Sequence, residues 1–251
     1  MELVKHVITV PTHHSILNLF FVGDTHFGTH SCDKGTLQRD VEMIRQTSNS
    51  YVIGMGDYCE CIIPSDRRRW RMGELDPELF DYIRAKKTED IIDWQVSEVL
   101  KYFRPLKGRI LGLLQGDHEE NLVRDTNRDI VPYMAERLSA KYYRTSAYIR
   151  LSVKCKRTLN SSTLFIKVFH GRVGGRTTPP KLTRLLQHLQ HWNADIVVMG
   201  GTHALLTMKS PGMRLTQKGE LRLVQTTRVV GVSGSYYRAY QPGSSYDARA
   251  D

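Results

Sequence analysis

Cysteine is scarce in this chain, and long apolar runs are missing from it. The 251 residues include four cysteines. Their spacing (Cys32, Cys59, Cys61, Cys155) is neither that of a disulfide scaffold nor that of a usual zinc-binding pair. No apolar run approaches the roughly 20 residues that a membrane-spanning helix needs, and residues 1–10 lack the features of a secretory signal. We therefore expect a cytoplasmic protein with reduced thiols and no membrane partner.

Acidic residues are fewer than basic ones. The chain has 36 Lys and Arg against 26 Asp and Glu, a formal net charge of +10 and a pI near 9.5. Such an excess favours an anionic partner. Part of it is concentrated at residues 67–71, where Trp70 lies inside a basic run, and this pattern suits phosphate contacts and base stacking. A solvent-exposed loop that packs its tryptophan on the protein would look the same, so nucleic acid is one candidate partner.

The first group of functional residues follows an apolar strand near the start of the chain. The apolar run at 16–22 ends at Gly23, and Asp24 and His26 follow it. A carboxylate and an imidazole two residues apart supply the oxygen and nitrogen ligands that suit a divalent metal. In parallel α/β sheets, functional groups gather at the carboxyl ends of strands. An Asp-x-His pair alone is weak evidence, but similar groups recur downstream.

Four later apolar runs end in comparable groups. These runs lie at 51–55, 109–115, 164–169 and 196–199, and helix-like patterns separate several of them, which predicts an α/β fold. Carboxylates and imidazoles that arrive on separate strand ends can converge on one point. The residues concerned are Asp24, His26, Asp57, Asp117, His118, His170 and His203.

The order of these motifs resembles that of the calcineurin-like metallophosphoesterase superfamily: Asp-x-His, Gly-Asp, Gly-Asn-His-Asp/Glu, His and Gly-His-x-His. The match extends from Gly23 to His203. The resemblance implies a four-layer α/β/β/α sandwich with two mixed β-sheets and its site on the loops at one sheet end. We expect one such domain over residues 1–251, with an irregular Arg-rich insertion at about 58–87.

The resemblance also implies two adjacent divalent metals. Asp24, His26 and His203 would bind the first metal, and Asp57 would bridge the two. His118 would lie beside the metals, where it would protonate the leaving oxygen or stabilise charge in the transition state. Two adjacent cations activate a water and hold the phosphoryl oxygens during in-line attack.

The second metal would be bound by Asp117 and His170, and here the chain departs from the family pattern. Asp117 stands where the family has Asn, and Gly201 stands where it has the first His of Gly-His-x-His. An oxygen-rich site favours Mn²⁺ or Mg²⁺ over Zn²⁺, so Mn²⁺ is the expected metal, with Mg²⁺, Fe, Ni²⁺ and Zn²⁺ as alternatives. We expect Asp117 to compensate in part for the imidazole missing at Gly201, which leaves a weaker second site. A one-metal or inactive site is the competing interpretation.

Five further residues are candidates because of their neighbours. Arg172 and Arg176 lie in a glycine-rich loop and could form forked contacts with a substrate phosphate, and Arg67 is a third substrate-binding candidate. Glu60 and Glu119 lie beside candidate ligands and could orient imidazoles. A solvated loop, or surface exposure, is the alternative in each case.

These expectations describe a divalent-metal-dependent phosphoesterase. The net charge of +10 and the Arg-rich insertion favour a phosphodiester substrate, such as nucleic acid or a nucleotide. A phosphomonoesterase or protein phosphatase is the alternative within the same chemistry. A nucleic-acid-binding protein that kept the fold and lost full catalysis is the alternative from another class.

Overall fold

The structure, a computed structural model, describes residues 1–66, 70–85, 91–158, 161–171, 178–215 and 221–238, and within them the strands form two sheets. The larger sheet has the order β1-β6-β7-β8-β10-β9. Its strands are β1 (Glu2–Val10), β6 (Ser146–Cys155), β7 (Ser161–His170), β8 (Ile196–Gly200), β9 (Leu205–Leu215) and β10 (Leu223–Ser233). The smaller sheet runs β2 (Asn18–Val22), β3 (Ser50–Gly54), β4 (Ile110–Leu113) and β5 (Lys141–Tyr142).

The α/β fold with two sheets agrees with the sequence-based expectation, but the two sheets differ in strand direction. The larger sheet is mixed, since β6–β7 and β9–β10 are antiparallel and its other pairs are parallel. The smaller sheet is parallel throughout, so the expectation that both sheets are mixed is wrong for it. Helices connect its successive strands, and a helical crossover returns the chain in the parallel direction.

The described residues form six α-helices. They are α1 (Lys34–Gln46), α2 (Pro77–Arg84), α3 (Ile91–Phe103), α4 (Asp117–Thr126), α5 (Val131–Arg137) and α6 (Thr178–His191). One apolar cluster joins the smaller sheet to α1, α3 and α5, and another joins the larger sheet to α6. A further cluster lies between the sheets, where Ile53 and Leu111 meet Ile149 and Ile166. No helix among the described residues is both long and apolar enough to span a membrane.

The insertion at about 58–87 is more ordered than the sequence suggested. It contains a 3₁₀ turn (Met72–Glu74) and the helix α2. Asp76 caps α2 by accepting a hydrogen bond from the backbone N–H of Glu78, and Pro77 occupies the first turn. Leu79 is fully buried in a small apolar cluster with Leu75. The expectation of an irregular segment is therefore wrong for residues 72–84. The many charged residues there leave little apolar periodicity, so the sequence pattern did not indicate the short capped helix.

Close packing in the smaller sheet gives a prediction for Gly112. A Cβ at this position in β4 would overlap the ring of Tyr143, which is fully buried. We expect Gly112→Ala to lower the free energy of unfolding by about 1–3 kcal/mol, the usual cost of overpacking. Gly73→Ala is the control, because its added Cβ meets nothing within 4 Å. Urea unfolding of both variants measures the difference, and equal midpoints would contradict it.

Candidate metal centre

The candidate ligands lie where strands of both sheets end. Asp24 and His26 follow β2, Asp57 follows β3, His170 closes β7 and His203 follows β8. The strands β2 and β3 are parallel to each other, as are β7 and β8, so each pair ends at one edge of its sheet. The two edges meet, since the Gly201 backbone N–H donates to both Asp24 carboxylate oxygens at 3.1 Å.

The backbone at these positions adopts an uncommon conformation. Asp24, His26 and Asp57 each have φ of 51°, and His203 has φ of 52°. A left-handed conformation is costly for a non-glycine residue, and such residues cluster at functional sites. Hydrogen bonds between loops hold the first two turns together, with Asp24 N donating to Gly56 O at 2.8 Å and Thr25 N to Asp57 O at 2.9 Å. The fold therefore holds these turns in a strained but defined geometry.

Side chains from these turns form three groups whose ligand atoms lie within 4.8 Å of one another. The groups share members, so they form one continuous centre. They are Asp24–His26–His203, His26–Asp57–His118 and Asp24–Asp57–His170. The first group has the composition that the resemblance implies for the first metal.

Nitrogen and oxygen atoms converge in the first group. His26 Nε2 and His203 Nε2 are 3.1 Å apart, and His203 Nε2 lies 3.5 Å from Asp24 Oδ1. His26 Nδ1 lies 2.8 Å from Glu60 Oε2, as expected of a carboxylate that orients an imidazole. Because Nδ1 donates its proton to Glu60, the lone pair of neutral His26 is on Nε2. Two imidazole nitrogens and a carboxylate oxygen then face the same point, which suits a cation.

His170 provides the clearest test of whether a metal fits the third group. Its Nδ1 lies 2.7 Å from the carbonyl oxygen of Met55, an acceptor, so Nδ1 carries the proton. Its Nε2 is buried and has no hydrogen bond of good geometry, and it lies 3.2 Å from Asp57 Oδ2, with which it forms an ion pair when it is protonated. A buried imidazole nitrogen without a hydrogen bond is costly. Coordination of a metal beside Asp57 would satisfy it, so the donor set fits a metal.

The electrostatics of the centre favour additional positive charge. Burial acts to lower the pKa of His26, but its hydrogen bond to Glu60 and the nearby carboxylates raise it to about 9. Burial also acts to lower the pKa of His170, but the charge of Asp57 outweighs it and raises the pKa to about 10. Burial raises the pKa of Asp24 to about 6. Burial and the charge of His26 lower the pKa of His203 to about 3. Protons on His26 and His170 occupy places that a cation would take.

Metal binding should therefore release protons. In the metal-free chain His26 and His170, with pKa values of about 9 and 10, are protonated at pH 7. A ligating imidazole must be neutral, so affinity rises with pH, by up to about 100-fold per unit between pH 7 and 8 if both protons leave. Mn²⁺ calorimetry in buffers of different ionisation enthalpy measures the number released. Binding that is independent of pH in this range would contradict the prediction.

Glu119 supports the centre through the backbone. It is fully buried, and it accepts hydrogen bonds from the backbone N–H groups of Asp57, Tyr58, Cys59 and Gly116 at 2.7–3.1 Å. Burial, followed by the charge of Asp57, raises its pKa to about 7. The sequence predicts that Glu119 orients an imidazole. Instead, these hydrogen bonds hold the loop that carries Asp57.

His118 lies next to the ligands at the start of α4. Its backbone N–H donates to Asp57 Oδ1 at 2.9 Å, and its Nδ1 lies 3.0 Å from the carbonyl oxygen of Glu60. The His26 and His118 rings are edge to face, with centroids 4.8 Å apart. Glu60 therefore contacts both a candidate ligand and the candidate catalytic residue.

Asp117 and Gly201 differ from the expectations. Asp117 is half-buried and lies outside all three groups that the described residues form, and Asp24 completes the group around Asp57 and His170. The reason is that α4 begins at Asp117 and directs the His118 backbone N–H at Asp57. The structure thus does not place Asp117 among the candidate ligands, and its compensation for the missing imidazole stays a prediction. Gly201 has φ of 79°, and a Cβ there would lie 2.5 Å from His170 Nε2, so a histidine would require local rearrangement.

One aromatic residue at the centre was not predicted. The ring of Tyr237 lies 5.2 Å from that of His26 and 5.6 Å from that of His203, measured between centroids. Tyr237 follows β10, and no motif in the sequence indicates its position. The three arginines proposed as substrate contacts, Arg67, Arg172 and Arg176, lie outside the described residues.

Comparison of the sequence with protein-family models and with curated proteins gives no match. No protein-family model matches the chain, and no curated protein matches it at a significant level. A functional interpretation therefore depends on the order of the motifs and on the side chains that the fold brings together.

Proposed function

We propose that this chain is a divalent-metal-dependent phosphoesterase that hydrolyses phosphodiester bonds at a dinuclear site. The observation that carries the proposal is the convergence of Asp24, His26, Asp57, His170 and His203 from four strand ends, with His170 Nε2 buried and lacking a hydrogen bond of good geometry. Isolated capping or core roles would not place these side chains in overlapping groups. The apolar layer between the sheets and the helices outside them support the four-layer α/β/β/α sandwich that we propose for the fold.

Asp24 belongs to both of the groups that would hold the metals, and Asp57, the bridging residue that the resemblance implies, belongs to one of them. Asp24, His26 and His203 would hold one metal, and Asp57 and His170, with Asp24, would hold the other. The donors are carboxylate oxygens and imidazole nitrogens, which are compatible with Mn²⁺, our preferred metal, and with Mg²⁺, Fe, Ni²⁺ or Zn²⁺. Bound divalent cations supply an activated water and neutralise charge on phosphoryl oxygens.

The protein side chains determine where protons are held. Glu60 holds the Nδ1 proton of His26, which keeps Nε2 as the ligand atom. The Glu60 carbonyl orients His118 through Nδ1, and we assign His118 Nε2 to protonate the leaving oxygen or to stabilise charge in the transition state. The carboxylate of Asp57 accepts the His118 backbone N–H, so its position is coupled to that of the proposed acid.

The test is turnover of bis-p-nitrophenyl phosphate with Mn²⁺, measured beside p-nitrophenyl phosphate. We expect diester turnover that falls by about 10²-fold or more in His118→Ala, the usual scale of general acid catalysis, while metal content is unchanged. His14→Ala is the control, because His14 is exposed and lies outside the motifs.

The same assay separates the alternatives. Faster turnover of the monoester would favour a phosphomonoesterase or protein phosphatase. Absence of turnover with every metal, together with salt-sensitive binding of DNA or RNA, would overturn the proposed activity in favour of a nucleic-acid-binding protein.

A further inference from the structure

We propose that Tyr237 is a positioning residue that fixes the two imidazoles of the first metal group. The inference rests on the proposed metal centre and adds a residue that lies outside the motifs. The Tyr237 ring is edge to face with His26, at an interplanar angle of 75°, and tilted against His203 at 41°. A single ring therefore flanks both imidazoles whose Nε2 atoms are 3.1 Å apart.

The two imidazoles differ in how firmly other groups hold them. His26 is buried, and Glu60 binds its Nδ1. The side chain of His203 is 29% exposed, and the atom that contacts Asp24 and His26 is its Nε2, the proposed ligand atom. Within the part of the chain that the structure describes, the ring of Tyr237 contacts the His203 ring from outside the ligand set. Edge-to-face and tilted aromatic contacts have preferred geometries, so they favour one orientation of the imidazole.

The segment that carries Tyr237, residues 234–238, is anchored to both ligand loops. The Gly234 backbone N–H donates to Ala204 O at 2.9 Å, next to His203. The Tyr236 backbone N–H and the Ser235 hydroxyl both donate to the carbonyl oxygen of Asp24, at 3.0 and 3.1 Å. The segment therefore connects the loop of His203 to the loop of Asp24 and His26, with Tyr237 between them.

Further contacts hold the segment against α1 and the loop before it. The Tyr236 hydroxyl donates to Asp40 at 2.9 Å, and the Arg238 backbone N–H donates to Ser31 O at 2.8 Å. The Arg238 guanidinium also pairs with Asp33, the capping residue of α1. Anchors on both sides of Tyr237 restrict the positions of its ring, which is what a residue that orients other side chains requires.

The experiment compares Mn²⁺ binding by wild type, Tyr237→Ala and Tyr237→Phe, using calorimetry and electron paramagnetic resonance. Phenylalanine keeps the ring, so we expect Tyr237→Phe to bind two Mn²⁺ with affinities within about threefold of wild type. Loss of a group that orients a ligand typically costs 10- to 100-fold in metal affinity. We expect this loss at one site of Tyr237→Ala, so that at two equivalents of Mn²⁺ a single-ion signal replaces the spin-coupled pair signal of wild type.

Tyr133→Ala is the matched control, because Tyr133 is an exposed tyrosine on α5 and contributes to none of the three ligand groups; we expect wild-type affinities. Circular dichroism establishes folding, and if Tyr237→Ala does not fold, Tyr237→Leu is judged by the same criterion. Two unchanged affinities, or an equal loss at both sites, would overturn the inference and leave the proposed function standing. A folded wild-type chain that binds no divalent metal would overturn the proposed function itself.

Discussion

Replacement of Asp57 by asparagine is expected to lower Mn²⁺-dependent diester turnover by at least about 10³-fold. The change keeps the shape of the side chain and its acceptor for the His118 backbone N–H, but it removes a negative charge beside His170. Burial acts to raise the pKa of Asp57, and the charges of His170 and His118 outweigh it, so the pKa stays below its usual value. Asp57 is therefore ionised, and its charge is available to a metal. Metal-dependent stabilisation of the transition state is worth several kcal/mol, and each ~1.4 kcal/mol corresponds to a factor of ten.

Asp125→Asn is the matched control for this substitution. Asp125 lies near the far end of α4, is exposed, and pairs with the neighbouring Arg124 on the surface. Its loss should leave turnover within about twofold of wild type, because exposed ion pairs contribute little. Turnover and Mn²⁺ content are measured for both variants. An Asp57→Asn chain that keeps wild-type turnover would show that Asp57 is not a metal ligand.

Replacement of Glu119 by alanine is expected to have the largest effect on stability, lowering the free energy of unfolding by about 3–5 kcal/mol. The carboxylate accepts hydrogen bonds from four backbone N–H groups that are otherwise buried. Each buried donor left without an acceptor costs about 1–3 kcal/mol, and the costs are not fully additive. Because the same hydrogen bonds hold the turn of Asp57, metal binding should weaken in parallel.

The control is Glu120→Ala, the same substitution one position along α4 at an exposed site. Surface substitutions usually change stability by less than about 0.5 kcal/mol. Urea unfolding of the metal-free proteins measures both effects without any contribution from bound ions. A Glu119→Ala chain as stable as Glu120→Ala would contradict the supporting role that we assign to Glu119.

Much of the fold was predictable from the alternation of apolar runs and helix-like segments. The run that forms β3 ends at Gly54, next to the predicted boundary at Met55. The helix α2 was not predicted, since eight residues with strong charges leave little periodicity to recognise. The parallel order of the smaller sheet depends on how the crossovers pack, which local patterns do not record.

The candidate ligands were predictable because strand ends concentrate functional groups. Asp24, His26, Asp57, His170 and His203 were all identified in this way, and the structure brings them together. Asp24 belongs to the group around Asp57 and His170, whereas the expected ligand Asp117 lies outside it. This difference depends on where α4 starts and on which group its first turn faces, and the neighbouring sequence does not reveal either.

Two supporting residues show what strand-end patterns miss. Glu119 was expected to contact an imidazole, but it binds four backbone amides, a role that depends on the three-dimensional path of the Asp57 loop. Tyr237 lies 211 residues after His26 and reaches it because residues 234–238 fold back across the β2 loop. Contacts between distant parts of the chain of this kind leave no periodic signal.

The most direct test is a crystal structure of the protein with Mn²⁺, with data collected at the manganese absorption edge. Our account predicts two anomalous peaks a few ångströms apart, one among Asp24, His26 and His203 and the other between Asp57 and His170. The second peak should lie within coordination distance of His170 Nε2. Peaks elsewhere on the protein, or none at these side chains in a crystal that contains Mn²⁺, would contradict the account.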